Sequence, residues 1–173
     1  GGKVLGSVRF PLGSSDFSSY LLQAQASKAK NIGFIGGGAD FTNSAKQADE
    51  FQIRAAGQRF TPFSLTTDDI YALGNKVTAD MPVVQSFYWD ESDKSRAWTE
   101  RFKKAYGGRM PTDPQANVYS AVLHYLKAVK AAGTTDTKAV LAKMKETPVD
   151  DFFTHSAKIR ADGRLMRDMS YGV

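Results

Sequence analysis

Phe17, Tyr20, Leu21 and Ala24 recur at i, i+3, i+4 and i+7, the spacing that lays one apolar stripe along a helix. Ser14, Ser15 and Asp16 precede that stripe and offer side-chain oxygens to cap its first free N–H groups. Asn31-Ile32-Gly33-Phe34-Ile35 shows no polar alternation, as expected of a strand buried on both faces. Gly36-Gly37-Gly38-Ala39-Asp40 then lets the chain leave the strand sharply. A second helix is expected from near Asp40 to about Ile53, with Phe41, Ala45 and Ala48 on one face. In open α/β sheets the junction at the carboxyl end of a strand is where ligands sit.

The same reading extends in both directions. Lys3 to Phe10 alternates enough to predict a strand, closed by Pro11 and Gly13. Phe60 to Leu65 predicts another, at an edge or bulge because of Pro62. Thr66-Thr67-Asp68-Asp69 predicts a turn or a short helix that Gly74 ends. Met81 to Trp89 predicts a strand finishing in three adjacent aromatics. Ser92 or Asp93 is expected to cap a helix that buries Trp98, Phe102, Ala105 and Tyr106, with Gly107-Gly108 as its left-handed stop. Asp113-Pro114 is an N-cap followed by proline at the first helical position. The long helix behind it is expected to bury a stripe of Val118, Ala121, Val122, Tyr125, Val129 and Ala132, up to Gly133. Asp136 starts a shorter helix with Val140 and Met144 inward. Asp162-Gly163, between Lys158-Ile159-Arg160 and Arg164-Leu165-Met166, is a hairpin signature.

The order is β-α-β-α-β, then β-α-α-α, then a terminal hairpin. Alternation predicts an α/β fold of mostly parallel sheets covered by helices. The lobe boundary is placed between Gly74 and Pro82, so residues 1–80 form one portion, 81–155 another, and 156–173 a returning hairpin.

Composition narrows the class without naming a function. A chain of 173 residues with 42% hydrophobic content can bury one sizeable core or two small lobes. Net charge is +5, from 23 Lys and Arg against 18 Asp and Glu, but the basic residues are scattered. A nucleic-acid binder gathers its charge on one face, so no nucleic-acid partner is expected. Without cysteine, disulfides, thiolate metal sites and cysteine nucleophiles are excluded. No apolar run is long enough to span a bilayer. Gly1-Gly2-Lys3 begins without Met or a following apolar segment, so the start reads as processed or truncated.

Candidate chemistry is sparse. The glycine cluster fails G-x-G-x-x-G because Phe41 stands at its last position, and Asp40 would repel a pyrophosphate there. Ligand contact or turn geometry fits those glycines better than phosphate binding. His124 and His155 have no evident acid partner in sequence. Asp68-Asp69 and Asp150-Asp151 are paired carboxylates for which helix capping is the simpler role. Neither a cofactor nor a metal ligand set is read from the chain, and an enzyme is the weakest of the functional readings. Tyr88 and Trp89 suit an apolar pocket with polar handles as well as they suit core packing at a lobe junction.

Several runs carry a resemblance. They are Ser15 to Lys30, Gly38-Ala39-Asp40 with Lys46-Gln47-Ala48, Phe87-Tyr88-Trp89-Asp90, Tyr119 to Val129, and Ile159 to Arg164. Together they resemble the type I periplasmic substrate-binding proteins of branched-chain amino-acid ABC transporters, the leucine/isoleucine/valine-binding-like receptors, over their later half. The resemblance implies two α/β lobes joined by hinge strands that close over a ligand, a periplasmic or extracytoplasmic location, and no catalysis. It implies that the second lobe's strands come first here, that the aromatic strand crosses to the first lobe, and that the hairpin returns to the second. The opening strands that in this family grip the ligand's carboxylate and amine have no counterpart here. A triple glycine stands where relatives often carry a larger or polar residue before the Gly-Ala-Asp.

The expected ligand wall is Gly38, Ala39 and Asp40, with Asp40 as partner for an amine or hydroxyl. Thr66 and Asp68 are expected on the neighbouring strand end, and Tyr88 and Trp89 near the hinge. The expected partners are an amino acid or a small or aromatic carboxylic acid, and an ABC transporter permease. A complementary half, or self-association through uncovered strand edges and apolar faces, is also expected. The competing reading is a self-associating interaction module without a ligand of its own.

Overall fold

The computed structural model describes residues 2–172, which form two units: 2–84 together with 171–172, and Gln85–Ser170. Each unit has its own apolar cluster.

In the first unit the order is α1 (Ser18–Ala26), β1 (Asn31–Phe34), α2 (Gly38–Glu50), β2 (Arg59–Pro62), α3 (Thr67–Leu73) and α4 (Asn75–Thr78). β1 and β2 pair in parallel, Asn31 opposite Arg59 through Phe34 opposite Pro62, so α2 is the crossover between them. Phe17 and Leu21 of the α1 face are buried, and Tyr20 and Ala24 partly so. Of the three expected capping residues, Asp16 acts at the helix start. Asp16 accepts the Ser18 N–H at 2.9 Å, while the Phe17 N–H goes to Gln47 Oε1 at 2.7 Å, so α2 supplies part of the cap. Phe34, Phe41, Ala45, Ala48, Ile53 and Phe60 fill the core, and Phe10 stacks on Phe34 with ring centroids 5.2 Å apart. Each phenylalanine so buried contributes about 1.5–3 kcal/mol.

Two strand expectations fail here. Residues 3–10 are not in a strand, because no described strand lies beside them to pair with; they are largely exposed. β1 is not buried on both faces either. Only Phe34 is buried and Ile32 partly so, while Asn31 and Gly33 on the alternate face are exposed.

The second unit holds α5 (Asp93–Ala105), α6 (Asp113–Ala132), α7 (Thr137–Glu146) and the antiparallel hairpin β4 (Lys158–Ile159) with β5 (Leu165–Met166). The chain crosses between units within β3 (Val83–Gln85) and again within β6 (Ser170–Gly172), two strands that pair with each other. The crossing thus falls a few residues beyond Pro82, and the β4–β5 hairpin lies in the second unit, with the return made only at Tyr171. β3 stops at Gln85, short of the expected Trp89, because Ser86 and Phe87 give their N–H groups to a side chain of α6.

Helix faces in this unit depart from their patterns. Ser92 caps α5 as expected, its Oγ accepting the Ser95 N–H at 3.1 Å. Trp98 is buried and Phe102 partly so, but Ala105 and Tyr106 are exposed. On α6 the cap is Thr112, one residue earlier than expected, with its N–H held by Gln115 at 3.0 Å. The buried face of α6 is the row Ala116, Ser120, His124 and Ala128. Most of the expected stripe points outward, Val118 being 64% and Val122 50% exposed, while Val129 and Ala132 are half-buried. Ala116, Ser120 and Ala128 admit close approach of neighbouring elements, and His124 lies inside with a ring nitrogen 3.0 Å from the Met144 carbonyl oxygen.

Candidate functional site

Parallel pairing puts the ends of β1 and β2 side by side, and both lead into helices. After Phe34 the chain passes Ile35, which is 75% exposed, and enters α2 through Gly37, an extended cap residue that offers no side chain to the first turn. Two glycines here answer different needs. A Cβ at Gly36 would lie 2.7 Å from the Phe34 ring, and Gly38 takes φ +57°, which side-chain-bearing residues rarely adopt. Gly38 and Ala39 are exposed at the start of α2. After Pro62, Phe63 and Ser64 are exposed, and Thr66 caps α3 in a capping box. Its N–H and hydroxyl both donate to Asp69 Oδ2, at 2.8 and 2.7 Å.

Gly38, Ala39, Asp40, Thr66 and Asp68 therefore follow adjacent strands at one end of one sheet. Their side chains are not all turned outward. Asp40 is only 7% exposed, and its carboxylate accepts the Gly13 N–H at 3.0 and 3.3 Å. Thr66 and Asp69 are occupied with each other, whereas Asp68 is exposed in the first turn of α3. Tyr88 and Trp89 belong to the second unit, just past β3, with ring centroids 5.6 Å apart. Tyr88 is exposed, and Trp89 packs partly against Phe87 and Trp98.

The remaining candidates have structural partners. His124 is buried, one ring nitrogen 3.0 Å from the Met144 carbonyl oxygen. His155 does have an acidic neighbour, Asp150 at 3.7 Å, and both are exposed. Asp151 caps no helix; its Oδ1 accepts the Phe153 and Thr154 N–H groups at 3.1 and 2.9 Å and shapes that loop. Asp69 does cap α3. Among the described residues no three His, Asp or Glu side chains gather as a metal site.

An open hollow of about 390 Å³ lies on the second unit, bounded by Lys94, Trp98, Arg101, Tyr119, Leu123 and Phe152. Trp98 and Phe152 stack with centroids 4.1 Å apart, so the rings pack on each other instead of framing a slot. None of the expected site residues lines it.

Sequence reasoning missed a polar cluster at the foot of β3. Asp113 Oδ1 accepts the Ser86 N–H (2.8 Å), the Ser86 hydroxyl (2.7 Å) and the Phe87 N–H (2.8 Å). Asn117 donates to Asp113 Oδ2 at 3.0 Å and accepts from Arg167. Burial lowers the Arg167 guanidinium's proton affinity, while Asp113 and Asp151 oppose that shift. The one local signal was Asp113-Pro114, which reads as a helix start and says nothing of partners 26 and 27 residues upstream.

Comparison with known proteins places the fold in a family. The family profile described as periplasmic binding protein matches residues 1–172. Among solved structures, a periplasmic binding protein of Burkholderia mallei is 43% identical, with a TM-score of 0.93 over 99% of this chain and 45% of that one. A branched chain amino acid ABC transporter periplasmic ligand-binding protein of Burkholderia xenovorans is 44% identical, with a TM-score of 0.78 over 98% and 45% of the two chains. A Leu/Ile/Val-binding protein homolog of Brucella melitensis is 26% identical over 137 residues, 77% of this chain and 35% of its own length. The chain thus spans less than half the length of these relatives.

Proposed function

The chain belongs to the periplasmic binding protein family, and from that premise we propose that it is part of an extracytoplasmic receptor for an amino acid or a small carboxylic acid. The receptor hands its solute to the permease of an ABC importer and performs no catalysis. The observation carrying this reading is the pair of adjacent parallel strand ends, β1 and β2, that lead into α2 and α3. Gly38 and Ala39 offer backbone to the solute, and Asp40, Thr66 and Asp68 supply polar groups. Residues 2–84 correspond in this reading to the receptor's second lobe and 85–170 to part of its first. An amino acid is favoured over other carboxylic acids because a relative at 44% identity is described as a branched-chain amino-acid transporter component.

A second reading rests on the outward stripe of α6. A helix apolar on two faces belongs between two layers, and the relatives are more than twice as long as the matched region. The cover is therefore a complementary α/β segment, and self-association substitutes for it when the segment is absent.

The test is a thermal-shift panel of leucine, isoleucine, valine and benzoate, run on the chain alone and mixed with the unmatched portion of the Burkholderia mallei relative. A solute at a hundredfold excess over Kd stabilises by about 2.7 kcal/mol. Asp40→Asn is expected to reduce the shift. No shift with any solute in either preparation would remove the receptor reading.

A further inference from the structure

We propose that Arg167 is a positioning residue that couples the two chain crossings, tying the foot of β3 and the approach to β6 to the first turns of α6. The two crossings lie far apart in sequence, yet the residues flanking them meet on one helix. Ser86 and Phe87 immediately follow β3, and Asp113 Oδ1 holds both N–H groups at 2.8 Å. Arg167 stands three residues before β6 and donates to Asn117, one turn along α6 from Asp113.

Asn117 suits the bridging position because its amide has two unlike ends. Its NH2 donates to Asp113 Oδ2 and Ser86 Oγ, both at 3.0 Å, and its carbonyl oxygen faces Arg167, which can only donate. A carboxylate in its place would face Asp113 with like charge, and an apolar side chain would break the chain of contacts. Arg167 is held from two further sides. It donates to the buried Thr154 hydroxyl at 3.2 Å, and its guanidinium lies 4.8 Å from the centre of the Phe153 ring. Asp151, which fixes the 153–154 loop, is the other charge acting on it. The planar fork of arginine serves the amide, the hydroxyl and the ring together, which a lysine ammonium cannot do.

Any strain on one crossing is thus transmitted to the foot of the other through Asp113, Asn117 and Arg167. This requires only that two crossings exist, not that the units close on a solute, so its failure and that of the receptor reading are separate.

Amide hydrogen exchange on the full chain tests it, comparing wild type with Arg167→Met, Arg167→Lys and Asn117→Asp. Arg167→Met is expected to speed exchange of the Ser86 and Phe87 amides at least tenfold, together with those at 168–170. The amides of α7 serve as reference and stay unchanged. Arg167→Lys restores only part of the protection, and Asn117→Asp reproduces the loss at Ser86 and Phe87. Faster exchange confined to 165–170 would overturn the proposal. So would a uniform rise across the unit, or failure of both Arg167→Met and Asn117→Asp to fold, since either makes the cluster a general folding element.

Discussion

The Asp40 carboxylate, in the first turn of α2, accepts the backbone N–H of Gly13 at 3.0 Å, from 27 residues upstream. The contact ties the turn ahead of α1 to the same helix start that follows β1. It also means that a side chain at the proposed solute wall already has one partner within its own chain.

Asp40→Ala is expected to destabilise the chain by about 1–2 kcal/mol, through loss of a charge-assisted hydrogen bond and of a negative charge at a helix N-terminus. Asp40→Asn keeps an acceptor for Gly13 and is expected to cost less. Urea unfolding of the two variants checks this; equal losses would mean that the Gly13 contact contributes nothing.

The two faces of α6 make opposite predictions. Val122→Lys alters an exposed position and is expected to change stability by no more than about 0.5 kcal/mol while weakening self-association. Ala128→Leu, on the buried face, is expected to cost about 1–3 kcal/mol by overpacking. Thermal unfolding of both variants decides which face is covered in solution. A reversed order would restore the stripe that periodicity selects.

Arg160 hydrogen-bonds the Asp162 carboxylate in the β4–β5 turn, and the Arg164 N–H adds to it, holding Asp162 below the ordinary carboxylate range. A carboxyl depressed in the folded state stabilises above its unfolded value and loses that contribution as pH falls through the folded one. The hairpin is therefore expected to loosen at acid pH. Carbon-13 titration should place Asp162 lower in wild type than in Arg160→Met; identical midpoints would remove the Arg160 contact as the cause.

Local chemistry was readable where each element carries its own cap or turn. Ser92 before α5, Asp136 before α7 and Asp162-Gly163 in the hairpin all act where the residue types place them. Tertiary choice was not readable. Val118 and Val122 look buried by periodicity, but Ala116, Ser120 and Ala128 allow closer packing and lie inside, together with His124 against the Met144 carbonyl. Lys3 to Phe10 alternates as a strand does, yet pairing needs a neighbour that alternation cannot supply. At the candidate site, the strand–glycine–helix order of β1 and α2 was legible, while the Gly13 partner of Asp40 arises from a contact no local spacing records. The Asp113–Asn117–Arg167 cluster was illegible for the same reason, its members being joined only by the fold.

Sedimentation velocity at several concentrations, alone and with the unmatched portion of the Burkholderia mallei relative, tests most directly the claim that this chain is part of a solute receptor whose α6 face requires a cover. The expected result is concentration-dependent association of the chain alone and a one-to-one complex with the added portion, in which leucine, isoleucine or valine binds. A chain that stays monomeric at every concentration, ignores the added portion and binds an amino acid tightly by itself would contradict it.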